Sequence, residues 1–333
     1  GEGVHMLNAS RLMLKGGKAF PLSPSLSWEA GLRRRNHPRV FSSGEWPRHD
    51  HVPMYLVDAF TRGPFCGNPA AICLLPDDVK ATSRWMQNVA MEMNQAETAF
   101  ISPLTRSNTF SLRWFTPVAE VDLCGHATLA SAKVLYAEGY VSPEAKISFE
   151  TRSGTLTTDM QPGEKDSNRI AMTFPKEPVT KITDETEIQR VKNTLTSSGL
   201  GLDAVEWIGE TKFDYFICLS SDPDVRNFNP DMTSIADLGK RGSIITAQSD
   251  RPDEDYVTRF FAPQLGIPED PVTGSAHCAL GPYWCEVLNK GNLVGYQASK
   301  RGGRVLVENM EENVQLKGGA IITLKGELNV LVL

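Results

Sequence analysis

The sequence predicts an α+β fold built from two similar halves, each a curved antiparallel sheet holding one apolar helix. Three observations lead there. Arg113-Trp114-Phe115-Thr116-Pro117, followed by Cys124-Gly125-His126-Ala127-Thr128, is echoed by Arg259-Phe260-Phe261-Ala262-Pro263, followed by Thr273-Gly274-Ser275-Ala276-His277. Both echoed blocks lead into helical stretches that are small or apolar on every side, the mark of a buried helix. The remaining elements are mostly short strands joined by tight turns, which favours antiparallel pairing. A repeat spanning nearly half the chain means two like domains rather than a solenoid, and the cleft between like domains is the natural ligand site.

In the first half, residues 55–60 and 70–75 read as strands around a turn cluster, Gly63-Pro64 and Gly67-Asn68-Pro69. Residues 82–93 have helical spacing, 97–102 and 110–115 read as strands, and 125–137 as the buried helix ending at Gly139. Strands follow at 147–151, 155–160 and 170–174. The second half repeats the plan: a helix at 188–197, strands at 204–208 and 215–219, a helical stretch at 232–238, and strands at 243–248 and 255–261. Its buried helix runs from 274 to 288, followed by strands at 294–298, 304–308, 314–317, 320–324 and 328–333. The expected division is an extension at 1–51, a first half at 52–175 completed by strand 326–333, and a second half at 176–325.

The 333 residues are 41% apolar and 22% charged, ordinary for a globular protein and long enough for two cores. Net charge is −6, unevenly spread: residues 1–50 carry eight Lys/Arg against four Asp/Glu, so the body is acidic. An acidic body argues against nucleic acid, and no run approaches the length of a membrane span. The six cysteines show no CxxC spacing and no nearby His pair, which argues against a structural zinc site and reads as thiols of a reducing, cytoplasmic setting. Residues 1–51, with Arg33-Arg34-Arg35 and scattered Ser and Pro, read as a disordered leader or as an organellar import segment.

Both buried helices open with glycine and a small polar residue, Gly125-His126 and Gly274-Ser275. Helix starts carry unpaired N–H groups and partial positive charge, so two facing starts would clamp a small carboxylate; helix packing with a permissive glycine is the plain alternative. Asp270, just ahead of the second helix, caps it or holds a substrate. His126 reads as a solvated first-turn residue, a ligand contact or a proton carrier. Glu97 opens an otherwise apolar strand, either as an exposed strand end or as an acid/base whose apolar surroundings raise its pKa.

Val57-Asp58-Ala59-Phe60-Thr61, Gly67-Asn68-Pro69-Ala70-Ala71, Asn94-Gln95-Ala96-Glu97-Thr98-Ala99-Phe100, Cys124-Gly125-His126-Ala127-Thr128 and Asp270-Pro271-Val272-Thr273-Gly274-Ser275-Ala276 resemble the PhzF-like family of phenazine-biosynthesis isomerases. The five blocks run co-linearly from about residue 54 to the C-terminus. The resemblance implies a diaminopimelate-epimerase-like fold of two barrel-like domains, each around a central helix. It also implies a cofactor-free isomerase of a small cyclic or amino-carboxylic acid and a possible homodimer. It makes Glu97 the general acid/base with Asp270 and His126 as orienting or proton-handling partners, and Gly125, Gly274 and Ser275, beside Cys124 and Thr273, the substrate-binding positions that supply anion-binding donors. Epimerases and racemases of this fold use two opposed thiols; here Cys124 stands in the first such place, reading by itself as a buried helix-entry thiol, and Thr273 in the second. A lone thiol argues against symmetrical racemisation, while a Cys/Thr pair leaves dehydration open. A catalytically silent metabolite-binding protein is the remaining alternative. A hydrolase built on Ser275 lacks the GxSxG elbow.

Overall fold

The computed structural model describes residues 46–47, 52–76, 80–161 and 169–328. The expected leader at 1–51 therefore lies outside the described residues apart from Trp46 and Pro47, and so do residues 329–333 of the last strand. Trp46 precedes the expected start of the body yet packs on it. Its indole Nε1 donates to the Leu75 carbonyl at 2.7 Å, and its ring lies against Phe110 and Tyr140.

In the first half β1 (Val52–Ala59) and β2 (Asn68–Leu74) pair antiparallel. The turn between them needs Gly67: its φ is +71°, and a Cβ there would lie 2.1 Å from the Ala59 carbonyl oxygen. Helix α1 (Ser83–Met93) starts where the Thr82 side chain accepts from Trp85 N, and stops where Asn94 turns left-handed. It carries the chain to β3 (Glu97–Pro103), which runs parallel to β2. β4 (Thr109–Phe115) returns antiparallel to β3, and the two-residue β5 (Glu120–Val121) leads to α2 (Gly125–Ala137). Then come β6 (Ile147–Thr151), parallel to β4, and β7 (Gly154–Gln161) and β8 (Arg169–Pro175). Helix α2 is apolar all round because it is enclosed: Leu129, Ala130, Ala132, Val134 and Leu135 are fully buried.

The second half opens with β9 (Thr180–Lys181), α3 (Glu185–Ser197), β10 (Val205–Glu210) and β11 (Asp214–Leu219). Two short helices, α4 (Asp222–Asn227) and α5 (Met232–Ala236), lead to β12 (Gly242–Gln248), β13 (Tyr256–Ala262) and β14 (Ile267–Asp270). Helix α6 (Gly274–Leu288) is followed by β15 (Asn292–Gln297), β16 (Gly303–Asn309), β17 (Asn313–Gly318) and β18 (Ala320–Leu328). Pairings repeat those of the first half: β11 with β12 and β13 with β15 are parallel, and the others are antiparallel.

The sheets are therefore mixed, with two parallel pairs in each half where the sequence predicts only antiparallel ones. The reason is physical. A helix lies between the partners of each parallel pair, and a crossover of that length returns the chain in the same direction. The expected strand at 320–324 continues unbroken to Leu328, with Thr323 of β18 the extra residue where the register against β1 slips between Leu56 and Val57; residues 329–333 lie outside the described residues.

β8 and β17 pair antiparallel and join the two halves. The chain also crosses back at its end: β18, after the strands of the second half, pairs with β1 along its length, while β9 pairs with β10 within the second half. No helix among the described residues is long and apolar enough to cross a membrane.

Candidate active site

Helices α2 and α6 begin face to face. A Cβ added to Gly125 would lie 3.8 Å from Gly274 Cα, and one added to Gly274 would lie 3.7 Å from Gly125 Cα. The free N–H groups of both first turns thus converge on one place, as expected of an anion-binding cleft. Any side chain larger than a methyl at either glycine would fill that space.

Around this meeting point the sequence-predicted residues gather from distant elements. Glu97 is the first residue of β3, and its side chain is 13% exposed. His126, in the first turn of α2, is buried, with Nε2 3.1 Å from Glu97 Oε2. The two atoms face each other without hydrogen-bond alignment, and neither has another partner. Cys124, at the N-cap of α2, places Sγ 3.5 Å from the other ring nitrogen, Nδ1. Asp270 ends β14; its Oδ2 accepts from the Thr273 hydroxyl at 2.6 Å. Ser275 Oγ accepts from Arg241 Nη2 at 3.2 Å.

Three positioning side chains were not singled out from sequence. Asn68 Nδ2 donates to Asp270 Oδ1 at 2.8 Å and to the Val272 carbonyl at 2.9 Å, and stands 3.2 Å from His126 Nδ1. It is held there by a latch between the halves: Gly67 N donates to Gly302 O at 2.7 Å, and Arg301 Nη2 to Asp58 Oδ1 at 2.6 Å. Gln297, at the end of β15, accepts from Thr273 N at 2.8 Å and donates to the Asp270 carbonyl at 2.7 Å, fixing the turn before α6. Arg241 is anchored by Asp214, with Nε at 2.9 Å from Oδ1, and its guanidinium lies over Phe213 and Phe260.

Charge in this enclosed space is strongly perturbed. Burial raises Asp270 to about 6; Glu97 adds to the rise, while His126 and the hydrogen bonds from Thr273 and Asn68 oppose it. Burial alone would lower His126, yet the facing Cys124 and Glu97 raise it well above its ordinary value. Cys124 is itself pushed up to about 11, by burial first and then by Glu97. A thiol that high is uncharged near neutrality.

Glu97, Cys124 and His126 bring donor atoms within 4.8 Å of one another, the one such His/Cys/Asp/Glu group among the described residues. Sγ faces Nδ1 while Oε2 faces Nε2, so the three form a string through the imidazole rather than a claw around one point. Thiol, imidazole and carboxylate in series can pass or hold protons.

The model of the family described as phenazine biosynthesis-like protein (PhzC-PhzF) matches residues 57–326. Among curated relatives, an uncharacterised isomerase of Halalkalibacterium halodurans is 44% identical over 280 residues, covering 83% of this chain and 98% of the relative. Phenazine biosynthesis-like domain-containing protein 2 of Mus musculus is 38% identical, covering 83% and 99%. Among solved structures, a PhzF family protein of Enterococcus faecalis superposes with a TM-score of 0.74 at 36% identity, covering 84% of this chain and 99% of that one. A hydroxyproline epimerase of Agrobacterium vitis, at 9% identity and a TM-score of 0.55, shares the fold. The chain belongs to the phenazine biosynthesis-like (PhzF) family.

Proposed function

We propose that this protein is a cofactor-independent isomerase that moves a proton between carbons of a small cyclic or amino-carboxylic acid, with Glu97 as general acid/base. The observation that carries this reading is the state of Glu97. Its side chain is mostly enclosed, no Lys or Arg among the described residues pairs with it, and Oε2 faces the His126 ring. A carboxylate so placed is available to a substrate rather than spent on structure. The relatives' names support the reading, since the protein of Halalkalibacterium halodurans and two of Pseudomonas aeruginosa are called isomerases.

In this mechanism the substrate carboxylate sits between the starts of α2 and α6, where the N–H groups at Gly125, His126, Gly274 and Ser275 also stabilise charge that develops on it. Glu97 removes a proton from a carbon made acidic by that carboxylate or by conjugation, and the electron pair spreads over the conjugated system. The carboxylic acid so formed can deliver a proton to a second carbon. His126 faces Glu97 Oε2 across 3.1 Å and holds its ring against it. Asp270, oriented by Asn68, Thr273 and Gln297, lines the pocket and orients the substrate. Thr273 contributes through that turn, because its hydroxyl is already committed to Asp270.

The test is proton exchange in deuterated water, with the full chain and a panel of cyclic and amino-carboxylic acids followed by NMR. The wild type is expected to wash deuterium into at least one acid, and Glu97→Gln to lose about 10²–10⁴-fold of that rate at unchanged melting temperature. Equal exchange by the variant would contradict the assignment. Binding without exchange in both proteins would favour a metabolite-binding protein.

A further inference from the structure

The duplication sets a second pair of side chains opposite Glu97 and His126. In the first half Glu97, at the start of β3, stands 3.1 Å from His126, the second residue of α2. In the second half Arg241, the residue just before β12, stands 3.2 Å from Ser275, the second residue of α6. β3 and β12 hold the same place in the two halves, each parallel to the strand before it, and the helix starts meet at Gly125 and Gly274. A carboxylate and an imidazole in one half thus answer to a guanidinium and a hydroxyl in the other.

The second pair has a fixed polarity. A guanidinium carries donors only, whereas a hydroxyl has one donor and two acceptor positions. Arg241 Nε donates to Asp214 Oδ1 at 2.9 Å, and Nη2 donates both to Asp214 Oδ2 and to Ser275 Oγ. The rings of Phe213 and Phe260, 5.1 and 5.8 Å from the guanidinium carbon, hold its plane. Burial alone would lower the Arg241 pKa, but the bonds and charge of Asp214, with the charges of Glu177 and Asp270, outweigh it and keep the group cationic. Ser275 Oγ therefore receives a hydrogen, and its own hydrogen has no acceptor among the described residues. That hydrogen is left for a ligand, beside the free N–H groups at the start of α6. An ammonium placed there would approach the Arg241 cation, whereas a carboxylate oxygen accepts the hydrogen and gains from the charge behind it.

We propose that Arg241 is a positioning residue that fixes the Ser275 hydroxyl as a hydrogen-bond donor, so that the substrate's carboxylate lies against the start of α6 and any amino group is turned toward Glu97. The proposal rests on the isomerase reading for its substrate and adds the direction in which that substrate lies. Arg241 and Ser275 make the same contacts before and after proton transfer, so their loss appears in affinity rather than in the chemical step.

Two measurements test this. The first needs no turnover: sodium acetate is titrated into the full chain, and the N–H signals of positions 274 and 275 are followed by NMR. In the wild type, Ser275→Ala is expected to weaken acetate binding about 10-fold. In an Asp214→Leu/Arg241→Met background, where both charges leave together, the same change is expected to cost less than about 3-fold. Ser275→Thr, which keeps the hydroxyl, should bind acetate as the wild type does. Equal losses in the two backgrounds, or no acetate binding by the wild type, would overturn the proposal. The second measurement is exchange kinetics on the acid that the wild type exchanges fastest. Arg241→Lys keeps a counter-ion for Asp214 but not the planar fork that also reaches Ser275. With melting temperatures checked, Arg241→Lys and Ser275→Ala are each expected to raise KM about 10-fold and to change the saturated rate far less. An unchanged KM in either variant would overturn the proposal. No exchange by the wild type would overturn the isomerase reading beneath it, and the acetate titration keeps the two failures apart.

Discussion

In the first half, β3 opens with Glu97 opposite Ala70; in the second half, β12 opens with Gly242 opposite Asp214. Each copy of the duplicated unit thus brings one carboxylate to the same corner, from neighbouring strands. Asp214, 3% exposed at its side chain, is gripped by the adjacent Arg241. Glu97 has no such cation among the described residues and faces an imidazole. The same contrast recurs at the helix starts, where Cys124 and His126 stand opposite Thr273 and Ser275. At these paired positions the first copy keeps groups that can hold or release a proton, and the second keeps hydroxyls and a locked ion pair, with Asp270 beside them. Under the proposed function, the duplicated scaffold divides proton transfer from anchoring.

The largest expected effect comes from unlocking the second corner. Arg241→Ala leaves Asp214 buried without its counter-ion, which should cost about 3–5 kcal/mol in urea denaturation. Replacing both partners by apolar residues should recover most of it. A loss below about 1 kcal/mol for the single variant would break the contrast between a locked and a free carboxylate.

Asp270 sharpens the comparison through pH. Its folded-state pKa is raised from 3.8 to about 6, so it binds its proton more tightly when folded. Its contribution to stability is therefore full below about pH 4 and is lost as pH rises through about 6, by roughly 2–3 kcal/mol. The wild-type-minus-Asp270→Asn stability difference should fall across that window. A flat difference would place Asp270 in solvent rather than in the cleft.

The smallest effect concerns why the second half has glycine where the first has Glu97. A Cβ on Gly242 would lie 2.4 Å from the Phe260 ring, so Gly242→Ala should cost about 1–3 kcal/mol. Gly125→Ala meets only ordinary contacts and should stay within about 1 kcal/mol of the wild type, yet narrow the anion cleft. Equal costs would remove the steric argument.

The duplication and both buried helices were legible because their signals are local: repeated blocks, and helices apolar on every face. The parallel pairs were not, since a short strand looks the same whichever way its neighbour runs. β5 and β14 are too short for periodicity to register. At the site, Glu97 stood out as one carboxylate in an apolar strand, and the family resemblance decided its reading. Asn68 read as a turn residue beside Gly67 and Pro69. Its amide serves Asp270 across 202 residues of chain, a contact that only the folded structure brings together. Arg241 and Gln297 likewise acquire their roles through partners far away in sequence.

The central claim, proton transfer on one half and anchoring on the other, is tested most directly by steady-state exchange kinetics of Glu97→Gln beside Ser275→Ala. The acid that the wild type exchanges fastest serves both. The account predicts that Glu97→Gln loses rate at saturating substrate, whereas Ser275→Ala chiefly raises KM. A Glu97→Gln variant with raised KM and an intact saturated rate would contradict it.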